Sequence, residues 1–112
     1  MNDDIIYVDS YDFDRRIEQG TNMVFFFSRL CTRSRAMMPI IEEIADEYYD
    51  CLRVLALDVE QSPDVADVFA VEMTPTVLFF MNGHLLERVE EANPKTVYTD
   101  VIETILSEES TE

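Results

Sequence analysis

Met23-Val24-Phe25-Phe26-Phe27-Ser28-Arg29-Leu30-Cys31-Thr32-Arg33-Ser34-Arg35 opens with five unbroken apolar residues. That is the pattern of a strand buried on both faces, and therefore of a central one. Beyond Cys31 the period changes. Ala36, Met37, Ile40, Ile41, Ile44 and Ala45 recur at spacings of three and four, which predicts an amphipathic helix from about Thr32 to Tyr49. Pro39 falls inside it and is expected to bend it. A cysteine thus stands where a central strand passes into a helix, at the helix end where unpaired N–H groups and the dipole favour an anion.

Upstream, Ile5 to Val8 reads as a short strand, followed by a helix that Asp9 or Ser10 can cap, with Phe13 and Ile17 on one face and a stop at Gly20. Downstream, Leu52 to Val59 is a strand. Ser62 can cap and Pro63 open a short helix through Phe69, and Thr76 to Met81 is a further apolar strand. Asn82-Gly83 then signals a hairpin to a strand from His84 to Val89, and Asn93-Pro94 begins a helix with Val97, Val101, Ile102 and Ile105 on its apolar face. The expected order is βαβαβαββα, an α/β fold with two right-handed crossover units, a hairpin, and a mixed central sheet with helices on both faces.

Arg29, Arg33 and Arg35 are three of eight basic residues in a chain with 24 acidic ones. This local reversal of sign around Cys31 is expected to push its thiol below the ordinary value and to draw an anionic partner. An ordinary half-buried thiol among incidental charges is the competing reading. The second cysteine, Cys51, lies beyond the far end of the same helix. About 15 helical residues at ~1.5 Å each separate the two by roughly 20 Å, against the ~4.4 to 6.8 Å between Cα atoms that a disulfide needs, so no intrachain bridge is expected. Cys51 reads as a small residue entering a strand. Met37, Met38 and Met73 read as core filler. His84 and the pairs Glu42-Glu43 and Glu90-Glu91 read as solvated, and Ser34 has no base in sequence reach that would make it a nucleophile.

At 112 residues the chain fits one domain over residues 1–112, with a core of about 3–107 and a frayed acidic tail over 108–112. A formal charge of -16 argues against nucleic acid and anionic membrane as partners, since both are polyanions. The longest apolar stretches fall far short of the ~20 residues of a membrane helix. Met1-Asn2-Asp3-Asp4 lacks a basic leader pattern, so a cytoplasmic location is expected. Two cysteines form neither a disulfide framework nor a zinc site, and neither a metal nor a cofactor is expected.

The segment from Phe26 to Arg35 resembles the active-site region of thioredoxins, where a Trp-Cys-Gly-Pro-Cys sequence joins the same strand to the same helix. Here the second cysteine is Ser34, so the motif is CxxS. Pro39 resembles the family's helix-kinking proline, Asp58-Val59-Glu60-Gln61-Ser62-Pro63 a further matching stretch, and Thr74-Pro75-Thr76 the cis-proline loop. The resemblance covers residues 3 to 107 and implies the thioredoxin fold. The departures bear on function. The family's buried Asp corresponds to Phe25, its Lys neighbour to Ala56, its tryptophan to Leu30, and the groove glycine of the last strand to Glu91.

The resemblance implies a site made of Cys31 as the reacting thiol and Ser34 as a hydrogen-bond partner of its sulfur. Leu30, Thr32, Thr74, Pro75 and Glu91 would line the substrate groove. Efficient dithiol reduction is not expected, because a mixed disulfide at Cys31 has no second thiol nearby to resolve it. Two functions stay open. One is monothiol exchange with a protein disulfide or a glutathione-like thiol, of which a regulatory thiol is a variant. The other is a redox-inactive binding module that keeps the fold and the groove.

Overall fold

The computed structural model describes residues 4–109. Along the chain run β1 (Ile5–Val8), α1 (Phe13–Ile17), β2 (Thr21–Phe27), α2 (Thr32–Glu47), β3 (Arg53–Asp58), α3 (Pro63–Val68), β4 (Thr76–Met81), β5 (His84–Glu90) and α4 (Lys95–Glu109). The strands form one sheet in the order β1-β3-β2-β4-β5. β1 and β2 run parallel to β3, while β4 is antiparallel to β2 and β5 to β4. This is the expected order of elements and the expected mixed sheet.

β2 is central, and all seven of its residues are buried. Its alternate side chains feed two cores. Met23, Phe25 and Phe27 pack with Met37, Ile41, Ile44 and Ala45 of α2 and with Tyr98, Ile102 and Ile105 of α4. Val24 and Phe26 pack on the other face with Phe13 and Ile17 of α1 and Val65 and Ala66 of α3. A strand covered on both faces has no polar side to declare, which is why it reads as a continuous apolar run. The hairpin turn has positive φ at both Asn82 (50°) and Gly83 (87°), the geometry that Asn-Gly adopts at low cost.

The helix starts depart from expectation, at α1 through a local turn and at α3 through a tertiary contact. Asp9 does not cap α1 directly: its Oδ1 accepts the Tyr11 N–H at 2.9 Å, while Asp12 Oδ1 accepts the Asp9 N–H at 2.8 Å. This reciprocal turn delays the helix to Phe13. Ser62 makes no capping bond to α3; its Oγ accepts the Ser10 N–H at 3.2 Å, and the Ser10 hydroxyl donates to Asp64 Oδ1 at 2.6 Å. A cap that finds a tertiary partner no longer serves its own helix.

α2 ends at Glu47, two residues short of Tyr49, and Cys51 sits in the turn ahead of β3, not in the strand. α4 continues through Ser107 to Glu109, past the point where fraying was expected, because Ile105 is buried and Leu106 packs against the core. The rest of the expected acidic tail, 110–112, lies outside the described residues. Lys95 Nζ bridges from α4 to Glu43 and Glu47 of α2, at 3.1 and 2.6 Å, so these glutamates are solvated but paired. No helix among the described residues is long and apolar enough to cross a membrane.

Candidate functional site

Where β2 ends, Ser28 organises the turn that carries Cys31. The Ser28 N–H donates to Ser34 Oγ at 3.3 Å, its carbonyl accepts the Cys31 N–H at 3.1 Å, and its hydroxyl donates to Glu60 Oε2 at 2.9 Å. The Ser28 oxygen also accepts the Leu30 N–H at 3.2 Å. Sequence reasoning passed over Ser28; a lone serine closing an apolar strand and facing a turn was the available signal. Cys31 occupies the N-cap position of α2, and its carbonyl accepts the Arg35 N–H at 3.1 Å, the first bond of the helix.

Opposite Cys31 lies the loop entering β4. The Thr74-Pro75 bond is cis, and Cys31 Sγ is 3.3 Å from the Thr74 carbonyl oxygen. The loop is held on both sides: Thr76 Oγ1 donates to the Met73 carbonyl at 2.8 Å, and the Glu91 N–H donates to the Pro75 carbonyl at 2.9 Å. Pro75 is buried, Thr74 half-buried, and Leu30, Thr32 and Glu91 exposed. Leu30 is 81% exposed and Met73 44%, so Met73 is surface at the site and not core filler, whereas Met37 is buried beneath the Tyr98 hydroxyl.

The Cys31 thiol is pulled down from its ordinary value to about 7. The Thr74 hydroxyl is the largest cause, then the Ser34 hydroxyl and the Ser34 N–H; burial opposes them, and the Arg33 N–H adds a smaller pull. When present, the thiol proton is directed at the Thr74 carbonyl, which favours the neutral form. Two hydroxyls and two N–H groups outweigh that single acceptor, so the thiolate gains. Ser34 can hold the sulfur because its own oxygen accepts from the Ser28 N–H, which leaves its O–H free to donate.

The arginines are placed differently from what their clustering suggested. Arg29 Nε pairs with Asp58 Oδ2 at 3.1 Å, with its guanidinium 5.7 Å from the Phe27 ring centroid. Arg35 donates to the Arg29 carbonyl at 3.4 Å. Arg33 acts on the thiol through its main chain. The lowering of Cys31 therefore comes from hydroxyl and N–H donors, with no guanidinium among its causes.

Phe25 and Ala56 are direct partners across β2 and β3, and both are 0% exposed. The two positions at which the resemblance implied a charged pair thus touch in a dry core. Glu91 has φ 69°, in the left-handed region that glycine occupies freely. Glu91→Gly is expected to raise stability by about 0.5 to 1 kcal/mol, the relief of strain exceeding the entropy that glycine adds to the unfolded chain. A shift of the urea midpoint measures it; a lower midpoint would mean that the Glu91 side chain makes up its backbone cost.

Cys31 and Cys51 are both free thiols. They stand at opposite ends of α2, whose 16 residues span about 24 Å. Cys51 is exposed, and its hydrogen bond to Asp50 raises its pKa, with burial and the charges of Asp50 and Glu103 acting the same way. His84, Glu42 and Glu90 are exposed. No group of His, Cys, Asp and Glu able to hold a metal ion occurs among the described residues.

Comparison with known proteins bears on this arrangement directly. The thioredoxin family profile matches residues 4–104. The thioredoxin of Staphylococcus saprophyticus is 33% identical over 99 residues, covering 88% of this chain and 95% of the relative. Those of Staphylococcus epidermidis and Staphylococcus aureus are 31% and 30% identical over the same share of each chain.

Proposed function

This chain belongs to the thioredoxin family, and on that footing we propose that it carries out thiol–disulfide exchange with a single cysteine. The Cys31 thiolate attacks a disulfide R–S–S–R′; a Cys31–S–S–R bond forms and R′–S⁻ leaves. An external thiolate R″–S⁻ then attacks the mixed disulfide, giving R–S–S–R″ and restoring Cys31 as thiolate. The cis Thr74-Pro75 loop offers main chain to an extended partner beside the sulfur. A reducing compartment such as the cytoplasm would supply the external thiol.

One observation carries this reading: the Cys31 sulfur sits at the N-terminus of α2, facing the Thr74-Pro75 loop, with its pKa brought to about 7. Near neutral pH about half of it is then nucleophile. The absent resolving thiol fits the same reading. Ser34 stands three residues on and Cys51 at the far end of the helix, so release depends on a thiol from outside.

The exposed Leu30 and Met73 beside the sulfur favour a second reading, a binding module without turnover. Alkylation of Cys31 against pH in a Cys51→Ser background separates the two. The rate is expected to rise through a midpoint of about 7. A midpoint at or above about 8.5, the value of an unperturbed thiol, would abandon exchange in favour of the binding module.

A further inference from the structure

β2 has two sides along the sheet, and the Thr74-Pro75 loop occupies the one towards β4. On the other side, towards β1, a cavity of about 360 Å³ is lined by Tyr7, Phe27, Arg29, Ser34, Arg35 and Met38. Its walls are apolar: Tyr7 meets Phe27 edge-on with centroids 6.2 Å apart, and Met38 comes from the second turn of α2. Its charges are of one sign in excess. Arg29 is balanced by Asp58, but Arg35 forms no ion pair among the described residues, and neither does the neighbouring Arg33.

A cationic cavity is out of keeping with a chain of charge -16, whose overall field repels anions. It also adjoins the reacting centre. Ser34 contributes to its lining and is one of the groups that hold the Cys31 thiolate. Aromatic walls with a guanidinium at the rim suit a flat or aliphatic arm that ends in a carboxylate.

We propose that this cavity seats the carboxylate-bearing arm of a low-molecular-weight disulfide, so that Cys31 exchanges selectively with anionic disulfides. The inference rests on the exchange reading and names its substrate class. In the step, the Cys31 thiolate attacks the nearer sulfur of the seated compound. Its S–S bond breaks as the Cys31 S–S bond forms, and the other half leaves as a thiolate that takes up a proton according to its own pKa.

The test uses the full chain carrying Cys51→Ser and three disulfides: the dithiobis-nitrobenzoate dianion, neutral dipyridyl disulfide and cationic cystamine. Each rate is divided by that of the same compound with a small neutral thiol. The normalised preference for the dianion over cystamine is expected to be about tenfold, whereas the net charge of the chain alone would produce the reverse order. Arg35→Ala should cut that preference about threefold and Arg35→Glu should abolish it, while Arg53→Ala, at the opposite end of the sheet, should leave it in place.

A preference near one, or in favour of cystamine, overturns the cavity assignment while leaving exchange intact, provided that dipyridyl disulfide still reacts at the rate of an activated thiolate. Equal loss of the preference in Arg35→Ala and Arg53→Ala also overturns it, because the effect would then be one of overall charge. If dipyridyl disulfide reacts no faster than with an unactivated thiol near neutral pH, the exchange reading falls and the inference falls with it.

Discussion

Ser34→Cys is expected to shorten the life of a mixed disulfide on Cys31 by about 10³-fold, because it turns release from a bimolecular reaction into an internal one. Cys31 is the N-cap of α2 and Ser34 the third residue of the helix, a spacing that brings Cβ atoms to about 5 to 6 Å. This is close to the separation that a disulfide tolerates, and small adjustment at a helix start supplies the rest. The side chain at 34 is already turned the right way: its Oγ accepts from the Ser28 N–H and helps to hold the Cys31 thiolate.

Well-oriented internal reactions reach effective molarities of about 10⁵ M and more, against millimolar external thiol. The gain is set lower here because position 34 is 1% exposed, and burial raises the pKa of an introduced thiol. Release of a chromophoric thiol from Cys31, followed in the Cys51→Ser background with and without Ser34→Cys, gives the ratio directly. Release that stays dependent on external thiol, at the native rate, would show that the side chain at 34 does not reach the sulfur.

The parts of the fold that were legible in the sequence are those whose signal is local. Met23 to Phe27 and Thr76 to Met81 declare buried strands because both faces of each are covered, and Asn82-Gly83 declares its turn because few residues accept positive φ twice in succession. What was not legible depends on partners far along the chain. The sequence predicts a cap at Ser62, yet its hydroxyl oxygen is taken by Ser10, 52 residues away. The clustering of arginines around Cys31 predicts one field acting on the thiol, yet Asp58, 29 residues on, claims Arg29. Proximity along the chain tells which charges are near the sulfur but not where their long side chains turn. Ser28 carries no local signal of its role for the same reason, since its importance comes from Ser34 and Glu60 together. The Phe25 and Ala56 pairing was the exception: two distant residues could be linked because both were departures from one family pattern.

That pairing supports a second prediction of large effect. Phe25→Asp is expected to destabilise the chain by about 4 kcal/mol at neutral pH, a large share of the ~5 to 15 kcal/mol of a domain this size. Two losses add. The ring, stacked on Phe27 at 5.7 Å between centroids, leaves a cavity, and a carboxylate enters a site that is 0% exposed and faces Ala56 on β3 and Val77 on β4. Neither neighbour can donate a hydrogen bond from its side chain. The carboxyl therefore holds its proton in the folded state, with its pKa raised above that of the unfolded chain. The folded state then binds the extra proton, so the variant keeps most stability below about pH 4 and loses it as pH rises through the raised pKa. Urea unfolding between about pH 4 and about pH 8 should show that slope as an excess over the pH dependence of the parent chain. Adding Ala56→Lys, directly opposite in register, should return about 2 kcal/mol at neutral pH and flatten the slope, since the pair can then ionise together. A Phe25→Asp variant with no such slope would mean that the carboxylate escapes to water, and that the strand face beneath Cys31 is not dry. With the slope present, the apolar pair at Phe25 and Ala56 is what spares the strand face beneath Cys31 a buried charge that would only cost stability.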